Sequence, residues 1–317
     1  MKIAIVQSGL LAGGAEKIVN LLAAYRAARG DDVSVLAFVG RREDSYFPYD
    51  ERIRVFTHQA RQVAGGNPLL RVTGRTRWLM RELAALKPDL VISFLTKTNV
   101  IVLTAALTAR YPVIISERNN PLMQKASPIW QSAVALLANR ASSIVMQTES
   151  ARRSLRSRLQ FKSHVIPNPA VVNVPRLPVA VTDQNVIAVG RLDRQKGFDL
   201  LIAAFAGTSA TPGAWVSAGG IFVLSSRHEG YPNVLVEAMT AGLAAIAFDC
   251  PWGPSDIVRD GEDGMLVPVE NVASLASAIR RLLTDDPLRT KLAAVERFDE
   301  HSVMAQWDDV IGVVLRK

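Results

Sequence analysis

The sequence contains few of the residues on which disulfide-rich, metal-binding or membrane-spanning proteins depend. Its 317 residues include one cysteine, Cys250, and four histidines whose scattered positions match neither a disulfide framework nor a metal site. No apolar run approaches the roughly 20 residues that a membrane span requires. We therefore expect a reducing, cytoplasmic environment and a fold without a bound metal.

The first residues offer little that is typical of a secretory signal, because polar Gln7 and Ser8 follow only a few apolar positions. We expect a strand there instead. Apolar residues make up 49% and charged residues 21% of the chain, which is ordinary for a globular protein. Since a single hydrophobic core organises at most about 250 to 300 residues, the length predicts two domains.

The charge balance is basic, with a formal net charge of +8. This excess favours an acidic partner, which leaves nucleic acid, an anionic membrane surface or a phosphorylated small molecule open. Arginines recur along two predicted helices, at 71–81 and 151–162. The first also carries Trp78 and aliphatic residues, a combination typical of peripheral docking at an anionic membrane. Its alternative is a solvated basic face, while nucleic-acid binding lacks any accompanying module motif.

Short β-branched runs alternate with amphipathic stretches, which predicts an α/β fold with a doubly wound parallel sheet. The runs of the first half lie at 2–6, 33–37, 53–57, 90–94, 113–116 and 144–147. A proline-rich linker is expected at 169–183, because proline continues neither a helix nor a central strand. It separates an N-terminal domain (1–168) from a C-terminal domain (184–300), and a terminal helix follows at 301–317.

The second domain is expected to be small. Its predicted strands lie at 186–190, 222–226, 244–248 and 265–268, and its predicted helices at 198–206, 234–241, 272–284 and 287–298. The segment near 207–221 is too short for another strand–helix unit, whose crossover alone needs about a dozen residues. We therefore expect a sheet of about four strands.

Two loops at strand ends are candidates for binding an anion. Gly13 and Gly14 lead into the first helix, where exposed amides and the helix dipole favour negative charge; a simple tight turn is the alternative. Arg191 follows the strand at 186–190, and Lys196 comes five residues later. Two cations at a strand end are typical of a diphosphate cradle, although a solvated basic turn explains them as well.

The stretch RHEGYPNVLVEAMTAG carries two glutamates eight residues apart, Glu229 and Glu237. Glu229 precedes a Gly-Tyr-Pro turn, and Glu237 lies about one turn into the following helix. Because that helix is apolar on nearly all sides, Glu237 is expected to be enclosed and to need donors such as ligand hydroxyls. The alternative for Glu229 is an exposed acid in a loop. The alternative for Glu237 is a carboxylate stabilised by the positive amino terminus of its helix.

Together these motifs resemble the retaining glycosyltransferases of family 4, which have the GT-B fold of two Rossmann-like domains. The spacings from Arg191 to Lys196 and from Glu229 to Glu237 match that family's paired signatures. The resemblance implies that Arg191 and Lys196 hold the diphosphate of a nucleotide-sugar, that Glu229 lies at the donor sugar and that Glu237 binds the ribose. Further donor contacts are implied for Gly13, Gly14, Gly230, Tyr231, Asn233 and Val234.

The resemblance further implies an acceptor-side loop in ISERNNP, with Glu117, Arg118 and Asn119 near acceptor hydroxyls or phosphate; helix capping is the alternative. No Asp-x-Asp motif occurs, and the nucleotide-sugar is a substrate, so neither metal nor cofactor is expected. The expected function is metal-independent transfer of a sugar to a glycan or lipid-linked acceptor in polysaccharide biosynthesis, in the cytoplasm or peripherally at the inner face of the membrane. A shortened, weakly active relative that binds nucleotide-sugars or a partner protein stays open.

Overall fold

A computed structural model describes residues 1–58, 68–107, 111–118, 128–170, 186–190, 192–202, 220–293 and 298–316. Arg191 and Asn119 lie outside the described residues, as do most of the proposed linker and most of the 207–221 segment. The chain divides into two compact units: unit 1 comprises Met1–Gln147, Arg152–Ile166 and Met304–Lys317, and unit 2 comprises Thr148–Ala151 and Pro167–Val303.

Unit 1 is built on a seven-stranded parallel sheet in the order β3-β2-β1-β4-β5-β6-β7. Its strands are β1 (Lys2–Gln7), β2 (Asp32–Ala37), β3 (Arg54–Thr57), β4 (Leu90–Phe94), β5 (Val113–Ser116), β6 (Ser143–Met146) and β7 (Ser163–Val165). The central strands are buried along nearly their whole length, as expected for a parallel sheet covered on both faces. The strand order reverses between β1 and β4, and open α/β sheets bind ligands at such a point.

Helices connect these strands. They are α1 (Gly14–Ala28), α2 (Pro68–Leu86), α3 (Thr96–Ala105), α4 (Pro128–Leu137), α5 (Glu149–Arg153) and α6 (Ser157–Gln160), with a 3-10 turn at Ala138–Arg140. The first helix ends where Gly30 adopts a φ of +87°, a conformation that favours glycine. Its apolar face, which includes Ile18, Val19 and Leu22, is fully buried.

Two features of unit 1 differ from the sequence-based expectation. The strand β7 was not predicted, because its three residues form too short a run to stand out. The single basic helix predicted at 151–162 is instead two short helices, α5 and α6. The side-chain amide of Gln160 donates to the Arg153 and Leu155 carbonyls at 3.2 and 2.8 Å, which satisfies the end of α5 and allows the chain to turn.

Residues from the far end of the chain complete unit 1. Helix α12 (Glu300–Leu315) places Trp307 in the core with no solvent exposure, its ring centroid 5.8 Å from that of Phe94. Asp308 on the same helix accepts a hydrogen bond from the Tyr25 hydroxyl at 2.7 Å and pairs with Arg26. The predicted terminal helix is therefore present, and its burial explains its apolar side.

Unit 2 contains a four-stranded parallel sheet in the order β11-β10-β9-β8. Its strands are β8 (Val186–Ile187), β9 (Ile221–Leu224), β10 (Ala244–Phe248) and β11 (Met265–Val267). The expectation of about four strands is confirmed for the described part of the chain, although β8 is shorter than the predicted strand at 186–190.

Helices cover both faces of this second sheet. They are α7 (Phe198–Ile202), α8 (Asn233–Thr240), α9 (Pro254–Ile257), α10 (Val272–Thr284) and α11 (Asp286–Ala293). Alternate residues of β9 face opposite cores: Phe222 and Leu224 pack with α8, while Ile221 and Val223 pack with α10 and α11. Across the ranges described above, no helix is both long and apolar enough to cross a membrane.

Candidate functional site

The candidate site in unit 2 lies where β8 and β9 end. Parallel strands present their carboxyl ends at one edge of the sheet, so the loops after β8 and β9 meet there. The first loop contains a 3-10 turn at Arg194–Lys196, and the Asp193 carboxylate caps this turn by accepting from the Lys196 amide at 3.1 Å. The local sequence thus fixes the position of the Lys196 backbone.

Gly197 lets the two loops touch. It has a φ of +63°, and a Cβ atom built on it would lie 2.0 Å from the Ser225 carbonyl oxygen. No other residue fits this position without moving one of the loops, because glycine alone lacks the side chain. Two hydrogen bonds to backbone carbonyls hold the loops together: the Ser225 hydroxyl donates to the Lys196 carbonyl at 3.0 Å, and the Arg227 amide donates to the Gln195 carbonyl at 2.8 Å.

The centre of the site is an ion pair between Lys196 and Glu229. The Lys196 Nζ atom lies 2.6 Å from Glu229 Oε1, and the two side chains are only 16% and 7% exposed. A buried charge needs a partner of opposite charge, and Lys196 and Glu229 provide this for each other. The structure therefore brings together two of the predicted donor-binding residues, and it rules out the exposed-acid reading of Glu229.

Arg227 locks the surrounding elements together. Its guanidinium makes a bidentate pair with Asp199 on α7 at 2.9 and 2.7 Å, and its Nε atom donates to Glu270 ahead of α10 at 2.5 Å. It also donates to the Arg194 carbonyl at 2.7 Å. The hydrogen bonds from Arg227 lower the pKa of Asp199 to about 2. Arg227 thus has a positioning role that the sequence motifs did not reveal.

Cys250 lies buried just after β10, with 1% of its surface exposed. Burial raises the pKa of its thiol to about 12, and the nearby Glu229 carboxylate raises it further while Lys196 opposes this. A thiol with so high a pKa stays protonated at neutral pH and is neither a nucleophile nor a metal ligand. Cys250 therefore belongs to the packing beneath the ion pair.

Helix α8 starts directly after the Gly230–Pro232 turn and carries Glu237. The Asn168 side-chain amide donates to the Asn233 side chain at 2.5 Å, which anchors the helix start. The first amides of a helix have no partner within it, so those of Asn233 and Val234 suit an anionic ligand. Glu237 is only half-buried, which corrects the expectation that it is enclosed: the apolar residues flank it along the helix but leave its own side partly open to solvent.

In unit 1, the glycine loop formed by Gly13 and Gly14 lies beside the carboxylate of Glu16. Gly13 caps α1 without a side chain, and a Cβ atom on it would lie 2.1 Å from Glu16 Oε2. Burial raises the pKa of Glu16, whereas hydrogen bonds from its own amide and from Ser8 oppose this. The Ser8 hydroxyl lies 3.4 Å from Glu16 Oε1. Glu16 thus replaces the missing side-chain cap, and Gly14 remains exposed beside it.

The predicted acceptor-side residues have unlike surroundings. Arg118 is 6% exposed, donates to the Ser116 hydroxyl at 2.8 Å and lies over the rings of Phe94 and Trp307 at 5.4 and 5.6 Å. The Arg118 guanidinium thus packs in the core beside these rings, and its contact with an acceptor stays a prediction. Glu117 is half-buried and accepts from the Thr96 hydroxyl at 2.7 Å.

Among the residues with described placement, no group of three or more His, Cys, Asp or Glu side chains is arranged to hold a metal ion. Sequence reasoning missed Arg227, Gln195 and Asn168, which position the site through hydrogen bonds. Arg227 directly follows the strand predicted at 222–226, so its location was a usable signal. Asn168 contacts Asn233, which lies 65 positions away, and no local sequence pattern predicts such a contact.

Two family models match this chain. A family model described as Glycosyltransferase Family 4 matches residues 12–174, and one described as Glycosyl transferases group 1 matches residues 205–285. The first match alone covers half of the chain. The chain belongs to glycosyltransferase family 4.

Individual relatives align with this chain over stretches of different length. An exopolysaccharide phosphotransferase of Streptomyces coelicolor is 39% identical over 101 residues, which covers 30% of this chain and 11% of that protein. A second relative is an alpha-1,4-N-acetyl-D-galactosaminyltransferase of Campylobacter jejuni, whose name includes an acceptor on PP-undecaprenol. It is 23% identical, and the alignment covers 99% of this chain and 99% of that protein. That alignment runs over 366 residues against 317 here, so the relative contains segments that this chain lacks.

Solved structures share the fold. Sucrose-phosphate synthase from Thermosynechococcus elongatus has a TM-score of 0.83 at 17% identity, with 98% of each chain covered. Anabaena HepE in complex with UDP has a TM-score of 0.78 at 20% identity, with 98% of this chain and 100% of that chain covered. These likenesses confirm the GT-B fold class expected from the sequence.

Proposed function

We propose that this chain transfers a sugar from a nucleotide-sugar donor to a glycan or lipid-linked acceptor, with retention of the anomeric configuration and without a metal ion. The observation that carries the proposal is the Lys196–Glu229 ion pair at 2.6 Å, held where two parallel strands end. The family membership of the chain supports the reaction class. The HepE complex with UDP and the Campylobacter relative's acceptor support the two substrate classes.

Lys196 has the chemistry to stabilise the leaving group. When the bond between the anomeric carbon and the diphosphate breaks, negative charge develops on the departing nucleotide diphosphate. A preorganised ammonium group and the first amides of α8 stabilise such charge without reorganising during the reaction. We assign Arg191 to the same diphosphate from its place in the sequence.

The two glutamates take different parts of the donor in this proposal. Glu229 is buried and orients Lys196, so its second carboxylate oxygen is suited to accept from hydroxyls of the donor sugar. Glu237 is half-buried on α8 and is suited to accept from the two ribose hydroxyls. The start of α8 lies between the two glutamates in the chain, so its first amides suit the diphosphate that joins the two ends of a nucleotide-sugar.

Retention is supported by the alpha linkage in the name of the Campylobacter relative, because nucleotide-sugar donors of this kind are themselves alpha-linked. The acceptor hydroxyl then attacks from the face that the diphosphate leaves, and its proton passes to the departing phosphate oxygen. The test is NMR of the product, in which an alpha anomeric signal is expected. Activity that persists in EDTA checks metal independence, and a beta product or a loss of activity in EDTA contradicts the corresponding part.

The donor site is tested by nucleotide release from UDP- and GDP-sugars. We expect Lys196→Gln to reduce release about 10- to 100-fold, since a charge-assisted hydrogen bond contributes about 1.5 to 3 kcal/mol. Lys291→Gln is the matched control, because it removes the same charge from an exposed ammonium that donates to the Gly261 carbonyl. Equal effects of the two substitutions would contradict the assignment of Lys196 to the donor.

A second candidate function is nucleotide-sugar binding without transfer. It is favoured by the longer alignment of the Campylobacter relative, which shows that the relative carries segments absent from this chain. Calorimetry separates the candidates: binding of a UDP- or GDP-sugar without release of nucleotide supports the binder, while turnover supports the enzyme. Absence of binding to every nucleotide tested rejects both.

A further inference from the structure

Unit 1 contains a cavity of about 660 Å³ that neither the donor site nor the glycine loop uses. It lies at the carboxyl end of β3 and along one side of α2, where Gly74, Arg77, Trp78 and Arg81 recur at helical spacing. A volume of this size falls within the range of about 300 to 1,000 Å³ that small-molecule sites occupy. Gly74 lines the cavity without a side chain, and nothing lies within 4 Å of the position that its Cβ atom would take.

One wall of the cavity is aromatic and fixed. The Trp78 ring makes edge contacts with His58 and Phe38, with centroid separations of 5.3 and 5.9 Å. Phe56 on β3 completes this side. Because both neighbours hold the Trp78 ring in place, its exposed part offers a preformed apolar surface.

The opposite side of the cavity carries more positive charge than the nearby carboxylates neutralise. Arg77 and Arg81 are exposed, and only Arg81 has a carboxylate partner, Glu82 at 2.9 Å. Arg77 has no carboxylate partner among the residues of known placement. Burial lowers the pKa of His58, and the charges of Arg75 and Arg81 lower it further, which favours the neutral imidazole. Excess positive charge beside a concave surface attracts an anion.

We propose that this cavity binds a phosphate or diphosphate group, with Arg77 and Arg81 as its charged contacts and Trp78 as the surface on which the apolar remainder of the ligand lies. Arginine suits this role because its planar fork matches phosphate oxygens. Two sources share this chemistry: the diphosphate of a prenyl-linked acceptor, which rests on the proposed function, and the headgroup of a membrane phospholipid. The pocket itself does not depend on the donor site.

Calorimetry on the full chain tests the site with inorganic pyrophosphate and with farnesyl diphosphate. We expect farnesyl diphosphate to bind more tightly, because it adds contact with Trp78, and Arg77→Gln to weaken that binding at least about 10-fold. Arg158→Gln is the matched control, since it removes the same charge from an exposed position on another basic helix. Circular dichroism of both variants checks that these exposed substitutions leave the fold intact.

Vesicle sedimentation distinguishes the two sources. Vesicles of phosphatidylcholine, with and without phosphatidylglycerol, are compared for the wild type and for Arg77→Gln. Binding to farnesyl diphosphate with unchanged sedimentation assigns the site to the acceptor, whereas loss of phosphatidylglycerol-dependent sedimentation in Arg77→Gln alone assigns it to the bilayer. The proposal is overturned if neither pyrophosphate nor farnesyl diphosphate binds and Arg77→Gln leaves sedimentation unchanged, if pyrophosphate binds as tightly as farnesyl diphosphate, or if Arg77→Gln and Arg158→Gln weaken binding equally. Lys196→Gln is expected to leave this binding unchanged, so failure at the donor site is recognised separately.

Discussion

The charge environment of Lys196 and Glu229 depends on their mutual contact more than on their positions in separate sequence motifs. Lys196 and Glu229 were predicted to bind different parts of a donor, and the structure places them in direct contact at 2.6 Å. A substitution of either residue therefore changes the charge environment of the other. Kinetic effects at this pair have to be read together with stability, because an unpaired buried charge destabilises the fold by about 3 to 5 kcal/mol.

The Cys250 thiol gives a prediction about pH. Its pKa of about 12 means that the folded state holds the thiol proton more tightly than the unfolded state. We expect negligible alkylation by iodoacetamide in the native protein at pH 8 and rapid alkylation in urea. The stability contributed by the protonated thiol is present below the unfolded pKa and is lost as the pH rises towards 12. Rapid labelling of the native protein at pH 8 would contradict the assignment.

Glu16 gives a second prediction at this scale. Its raised pKa means that folding favours the protonated carboxyl, so its stability contribution is greatest at low pH and declines as the pH rises through the folded pKa. We expect Glu16→Gln to be at least as stable as the wild type at pH 7 and to lose that advantage at pH 4. Urea denaturation at the two pH values measures this, and a less stable Glu16→Gln at pH 7 would count against it.

At the scale of elements, loops and helix starts carry the site while the strands only position it. The strands β8 and β9 bring two loops to one edge, and Gly197, Ser225 and Arg227 then hold those loops in contact. The periodicity that predicts a strand contains no information about this loop pairing. At Gly197 the positive φ coincides with a close contact, whereas Gly261 has a positive φ with nothing near the missing side chain.

Gly197→Ala tests that loop contact. Both Gly197 and Gly261 have positive φ, +63° and +75°, but only at Gly197 would a Cβ atom meet the Ser225 carbonyl, whereas nothing lies within 4 Å at Gly261. Gly261→Ala is expected to cost about 1 to 2 kcal/mol from backbone strain and to leave donor binding unchanged. Gly197→Ala is expected to cost more and to weaken donor binding. Thermal unfolding and calorimetry measure both, and matching results for the two variants would show that the contact is unimportant.

At the scale of the whole chain, sequence order and spatial grouping diverge. Residues from Met304 onward belong to unit 1, although they follow the whole of unit 2 in the sequence. Trp307 fills the core beside Phe94, and Arg118 lies over both rings. The carboxyl-terminal helix is therefore part of the first core.

Trp307→Ala is expected to lower the free energy of unfolding of unit 1 by about 3 to 5 kcal/mol, because a fully buried aromatic side chain leaves a cavity. Hydrogen exchange should quicken in β4 to β6 and stay unchanged in β9 and β10. His301→Ala, at an exposed position of the same helix, is the control. Uniformly faster exchange in both sheets would contradict a role confined to unit 1.

The sequence by itself determined the α/β class, most strand positions, the small second sheet and the family. Each of these depends on local periodicity or on motif spacing, which neighbouring residues encode directly. Only the tertiary structure decided that Glu229 and not Glu237 is the enclosed carboxylate, that Arg118 faces the core, and that α12 completes unit 1. These outcomes depend on contacts between residues far apart in the chain, and burial at such contacts is set by packing that no short window of sequence contains.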